Sequence, residues 1–150
     1  MNPRRSPPIV ALSLSILVLA VAAAPASAPR LPIPGHWAGV ILNDQGRIFP
    51  IRFVVSENRR NVGDVDFRLR ITSGPAPRCG SFRIHWRFTK EKRLRDGRFR
   101  YHQTPDGTDM LLVGEVKDAP KKKANGTIRA SDRASGCADT LEWTAFHVTR

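Results

Sequence analysis

Arginine carries most of the chemical potential of this chain: 19 of its 25 basic residues are arginines, against 13 acids. Seven of them, Arg52, Arg68, Arg70, Arg83, Arg87, Arg98 and Arg100, sit in segments where every second residue is apolar, on the phase opposite the apolar one. A guanidinium group keeps its proton at any physiological pH, and its planar fork holds a phosphate or carboxylate by two parallel hydrogen bonds. If the segments bearing these residues are sequential antiparallel strands, all seven project from one sheet face with His85 and His102 and make a binding surface for an anion. Asp64 and Asp66 share that phase and offset part of the charge. Like charges facing each other across strands cost roughly 0.2–1 kcal/mol per close pair, so such a face suits an anionic partner. The excess of arginine over lysine, 19 to 6, is equally what codon use in a GC-rich genome yields without selection for a ligand.

Other chemistry is sparse. No serine sits in a Gly-x-Ser-x-Gly elbow, and His36, His85, His102 and His147 are spread over different segments. A hydrolase would need one of them within about 3 Å of a serine or carboxylate at a concave site. His-Glu-x-x-His and paired-Asp calcium loops are absent from the sequence, so neither metal nor cofactor is expected. Aromatics do not alternate with the arginines on the exposed phase, so nucleic acid is not an expected partner. Cys79 and Cys137 are the only cysteines. Two cysteines in an oxidising compartment permit one bridge, and closing a loop of roughly 60 residues contributes about 4 kcal/mol in the chain-entropy model.

The N-terminus points to that compartment. Residues 1–28 read as an export signal: Arg4 and Arg5 without an acid, an apolar and small-residue run from Ile9 to Ala24, and Ala24-Pro25-Ala26-Ser27-Ala28 for cleavage after Ala26 or Ala28. The alternative is an uncleaved anchor, whose 16 residues at about 1.5 Å each reach roughly 24 Å, short of a roughly 30 Å hydrocarbon core. The expected product is secreted or extracytoplasmic, with 122 residues, 23 of them basic and 13 acidic. Outside the cytoplasm, such a field attracts anionic lipid head groups, envelope polymers or acidic polysaccharide.

The elements that must position the arginines are strands. Residues 29–35, with three prolines and a glycine, form an extended lead-in, and residues 36–150 form a single all-β domain. Strands are expected from His36 to Leu42, with Trp37, Gly39 and Ile41 on one face, and from Arg47 to Val55, with Phe49, Ile51, Phe53 and Val55 inward. The turn Asn43-Asp44-Gln45-Gly46 joins them. Val62 to Thr72 alternates Val65, Phe67, Leu69 and Ile71 with Asp64, Asp66, Arg68 and Arg70, and Cys79 to Thr89 alternates Phe82, Ile84, Trp86 and Phe88 with Arg83, His85 and Arg87. A charged connection, Lys90 to Gly97, leads to Arg98–Gln103, the turn Thr104-Pro105-Asp106-Gly107, and strands over Met110–Lys117, Asn125–Ser131 and Leu141–Val148. Lys121-Lys122-Lys123 reads as a solvated hairpin tip. No window carries a helical apolar stripe. The fold expected is an antiparallel meander of about eight strands, an up-and-down barrel or a barrel-like sandwich, with Trp37, Trp86 and Trp143 in its core.

The opening Gly35-His36-Trp37-Ala38-Gly39, the eight short strands, Cys137 and the closing Leu141-Glu142-Trp143-Thr144-Ala145 resemble small exported β-domain proteins of high-GC Gram-positive bacteria. The Gly-x-Trp of the first strand is also similar to the start of lipocalin and avidin folds, a resemblance that implies a small apolar ligand inside the barrel; no ligand-binding residue carries over from it. Three functions follow in order of expectation. The first is a non-enzymatic exported domain that binds anionic envelope polymers or lipids through its arginines. The second is a lipocalin-like carrier, which requires that Phe49, Phe53, Phe67, Trp86 and Trp143 line a hollow of roughly 300 Å³ rather than fill it. The third is a small secreted hydrolase.

Overall fold

Period-two alternation from Trp37 onward becomes one sheet of nine antiparallel strands, and the computed structural model describes residues 31–43, 45–75, 79, 82–117 and 122–149. The strands are β1 (Gly35–Leu42), β2 (Ile48–Val55), β3 (Asn61–Ile71), β4 (Phe82–Phe88), β5 (Lys92–Arg93), β6 (Arg98–Gln103), β7 (Thr108–Val116), β8 (Lys123–Asp132) and β9 (Cys137–His147). A 3-10 turn, Pro105–Gly107, precedes β7, and there is no α-helix among the described residues, so none long and apolar enough to cross a membrane. The expected leader at residues 1–28, the first two lead-in residues, Asp44, Lys121 and the inward expectation for Phe82 lie outside the described residues.

Hydrogen-bonded neighbours run β4-β3-β2-β1-β9-β8-β7-β6, with β5 alongside β3. The first strand pairs with the last, placing Trp37 opposite His147 and Ile41 opposite Trp143, as tryptophans on the inward phase at both ends of the chain imply. The sheet curls, and rings from its two ends meet inside it, Phe88 of β4 and Tyr101 of β6 at 4.5 Å between centroids.

The expected side-by-side placement of β4 and β6 is not found: they are the two free ends of the sheet. The stretch from Lys90 to Gly97 is the cause. Instead of turning back along β4, it continues along β3, with Lys92 and Arg93 opposite Val62 and Asn61. Leu94 then buries, its N–H donating to the Arg60 carbonyl at 2.6 Å, and Arg95 bridges to Arg98 to start β6.

Inside the sheet, Trp37 stacks on Phe53 at 5.8 Å, Phe53 meets Phe99 and Trp143 at the same separation, and Trp86 meets Phe88 at 5.2 Å. Phe67 is also fully buried, and Phe49 is half-buried against this core. Aromatic pairs in such offset and edge geometries add about 0.5–1.5 kcal/mol each beyond their buried area. Cys79 and Cys137 form the disulfide, with Cα atoms 5.4 Å apart. Cys137 is the first residue of β9. Beside the bridge, the Ala138 N–H donates to the Ser73 carbonyl at 3.0 Å and the Thr72 hydroxyl to the buried Asp139 carboxylate at 3.1 Å, so the segment that follows β3 is tied to the start of β9 three times over.

Candidate anion-binding face

The outward phase of β2, β3 and β4 brings five of the seven arginines together. Across these strands Arg52 stands opposite Asp66 and Asp66 opposite Arg87; further along, Arg68 faces His85 and Arg70 faces Arg83. Four are exposed and Arg70 is half-buried. Asp66 does not bridge to either arginine beside it: its Oδ1 lies 3.3 Å from His85 Nε2. Among the described residues, no ion pair joins any of the five to a carboxylate. Arg70 and Arg83, directly opposite and uncompensated, incur the repulsion of a like-charged cross-strand pair.

A bulge shapes this face. Arg52 pairs with Asp66 but Val54 with Gly63, so β3 carries one more residue than β2 between those pairs. Asp64 lies in the extra stretch, with φ of 46°, in a left-handed conformation that aspartate tolerates better than most side chains. A bulge bends its strand and increases local twist. Here it accompanies a cleft of about 670 Å³ on the outer side, bordered by Arg52, Arg68, Arg87, Asp64 and Asp66, with Trp37 and Phe53 beneath. Three fork donors around an open concavity can hold phosphate or carboxylate oxygens, and the two aspartates can accept from hydroxyl groups.

Arg98 and Arg100 lie on β6, at the opposite end of the strand order, with no ladder to β4 among the described residues. They join a second basic cluster with Lys92, Arg93 and Arg95 around a shallow depression of about 450 Å³, where Arg98 Nε lies 3.9 Å from Glu115. Sequence reasoning missed this cluster because residues 90–97 read as a connection; the signal available was buried Leu94, an apolar residue amid charges.

Besides the His85–Asp66 contact, a second imidazole–carboxylate pair lies on the outer surface: His102 Nε2 and Asp109 Oδ1 are 2.7 Å apart. The pair is exposed and lies outside the clefts named here. The bond from His102 holds the Asp109 carboxyl below its ordinary range, helped by the Thr104 hydroxyl. Among the described residues, no group of three or more His, Cys, Asp or Glu side chains is arranged to hold a metal ion. The chain matches no protein-family model and no curated protein.

Proposed function

We propose that this is an exported, non-enzymatic binding domain whose arginine face on β2, β3 and β4 holds an anionic partner, a polymer or a lipid head group of the cell envelope. One observation carries the reading: five arginines share a sheet face without an ion pair among the described residues, two of them directly opposed. An arrangement that opposes folding yet occupies a cleft-bearing surface suits a site completed by an anion from outside. The export signal of the sequence and the disulfide agree with an oxidising compartment, where such polymers are found.

The carrier alternative needs a hollow interior, and the rings of Trp37, Phe53, Phe99, Tyr101 and Trp143 occupy that space in mutual contact. The surface reading is therefore favoured.

Retention on a dextran-sulfate resin tests it. Binding at low salt should fall steeply as sodium chloride approaches about 1 M, where charges are screened within roughly 3 Å. Retention unchanged by salt, or no retention at all, overturns the proposal.

A further inference from the structure

At the hairpin end of β1 and β2 the outward phase is aliphatic rather than cationic. Leu42 stands opposite Ile48 and Val40 opposite Pro50. All four are exposed, Ile48 at 65% and Leu42 at 50%. On β9, Phe146 lies between Ala38 and Lys123 with 54% of its surface exposed. Single exposed apolar residues are ordinary on any protein, whereas a contiguous apolar patch marks an interaction site.

What adjoins the patch identifies its partner. The last β2–β3 pair towards the hairpin is Ile51 with Phe67; the same register extended by three residues directs Ile48 towards Arg70, and Arg70 faces Arg83. Arg47, exposed, sits within the β1–β2 hairpin itself. The aliphatic tip thus abuts the least compensated end of the arginine face. A water-soluble polyanion would satisfy the guanidinium groups and leave the tip in water. An anionic bilayer meets both surfaces at once, its phosphates on the arginines and its acyl boundary against Leu42 and Ile48. Stable interfacial binding requires two such signals acting together.

We propose that this outer face docks on anionic phospholipid membranes, with the β1–β2 hairpin entering the head-group boundary beside Arg70 and Arg83. The inference rests on the arginine face binding anions, and it names the partner.

The intact, disulfide-bonded protein should sediment with vesicles of equal phosphatidylglycerol and phosphatidylcholine, not with phosphatidylcholine alone, and part of the binding should survive high salt. Leu42→Ser with Ile48→Ser should weaken vesicle binding about tenfold while dextran-sulfate retention and circular dichroism stay as in the wild type. Ile48→Trp gives a readout independent of weakening: its emission should shift to the blue on phosphatidylglycerol vesicles and not on dextran sulfate. Wild-type retention on dextran sulfate without vesicle binding overturns membrane docking and leaves the anion reading standing; loss of both overturns both. A double-serine variant that binds vesicles like the wild type overturns the role of the tip. A concentration-dependent dimer abolished by the same substitutions assigns the patch to a second copy and overturns the proposal too.

Discussion

The Tyr101 hydroxyl, on β6, donates to the carbonyl oxygen of Val62, on β3. It spans the gap between the two ends of the strand order, since among the described residues no ladder pairs β6 with β4. The same ring packs against Phe88 of β4. Tyr101 therefore does inside the sheet what a backbone ladder would do at its edge, and it is the only tyrosine in the chain.

Burial raises the Tyr101 hydroxyl well above its ordinary value of 10.0. A raised value means that its contribution is complete below pH 10 and declines above it, as the unfolded chain ionises and the folded one does not. Ultraviolet titration of the single phenol should show no phenolate in the folded protein above pH 10, then an abrupt appearance coincident with loss of circular dichroism. Tyr101→Phe should cost about 1–3 kcal/mol in urea unfolding. Smooth ionisation at the ordinary value, with the fold intact, would place the hydroxyl in water.

Reduction of the Cys79–Cys137 bridge should destabilise the protein strongly. The residues are 58 apart in sequence, and releasing a loop of that length costs about 4 kcal/mol in the chain-entropy model, a large share of the roughly 5–15 kcal/mol that holds a domain. Thermal unfolding of Cys79→Ser/Cys137→Ser should show a far lower midpoint than the wild type. A small shift would mean that the Asp139 and Ser73 contacts hold the same junction unaided.

Acid sensitivity should centre on Asp132. The Ser135 hydroxyl and N–H bonds lower its carboxyl below the ordinary 3.8, and they close the turn that delivers Cys137 to the disulfide. A lowered value favours the folded state above pH 3.8, an advantage lost as pH falls through the folded value. Asp132→Asn should flatten the acid limb of a stability-against-pH curve below pH 4 and leave the neutral region lower but level. An unchanged acid limb would assign acid unfolding to other carboxylates.

The strands themselves were legible wherever one face is apolar and the other charged. Val65, Phe67, Leu69 and Ile71 bury and Arg68 and Arg70 turn outward as alternation requires, and β6 has the bounds its sequence implies. Closure of the chain ends was legible in the inward tryptophans. The bulge at Asp64 was not, because an extra residue in a ladder leaves the local pattern nearly intact and only shifts its phase, so that Val62 and Val65 both bury. Nor was the break in the ladder between β4 and β6. It depends on β5 extending along β3, a two-residue strand of charged side chains with no alternation to betray it. The shared face of five arginines was thus readable from local pattern, and the placement of the other two depended on strand order.

Gly39 should resist substitution. A Cβ built there would lie 1.9 Å from the Thr144 carbonyl oxygen and 2.4 Å from the Ala145 Cα, both backbone atoms of β9. Glycine inside a strand marks a close backbone approach, here at the β1–β9 junction that joins the two ends of the chain. Gly39→Ala should destabilise by about 1–3 kcal/mol, measured by urea unfolding, whereas Gly46→Ala at the hairpin tip meets no neighbour and suffers only from its φ of 71°. Equal tolerance at both positions would mean that β1 and β9 lie further apart than described.

The arginine face makes a prediction of opposite signs. Arg70 and Arg83 face each other without an acid between them, so replacing both with glutamine removes repulsion worth roughly 0.2–1 kcal/mol and should raise the thermal midpoint slightly. The same change should weaken dextran-sulfate retention and reduce its dependence on salt, because two of the groups that meet the anion are gone. A more stable protein that binds less well is what a surface kept for function at some expense of stability should give. Arg98→Gln with Arg100→Gln serves as the comparison, since those residues border a different depression and Arg98 already approaches Glu115. Equal losses of retention from the two pairs would show that net charge alone drives binding, with no special part for the face on β2, β3 and β4.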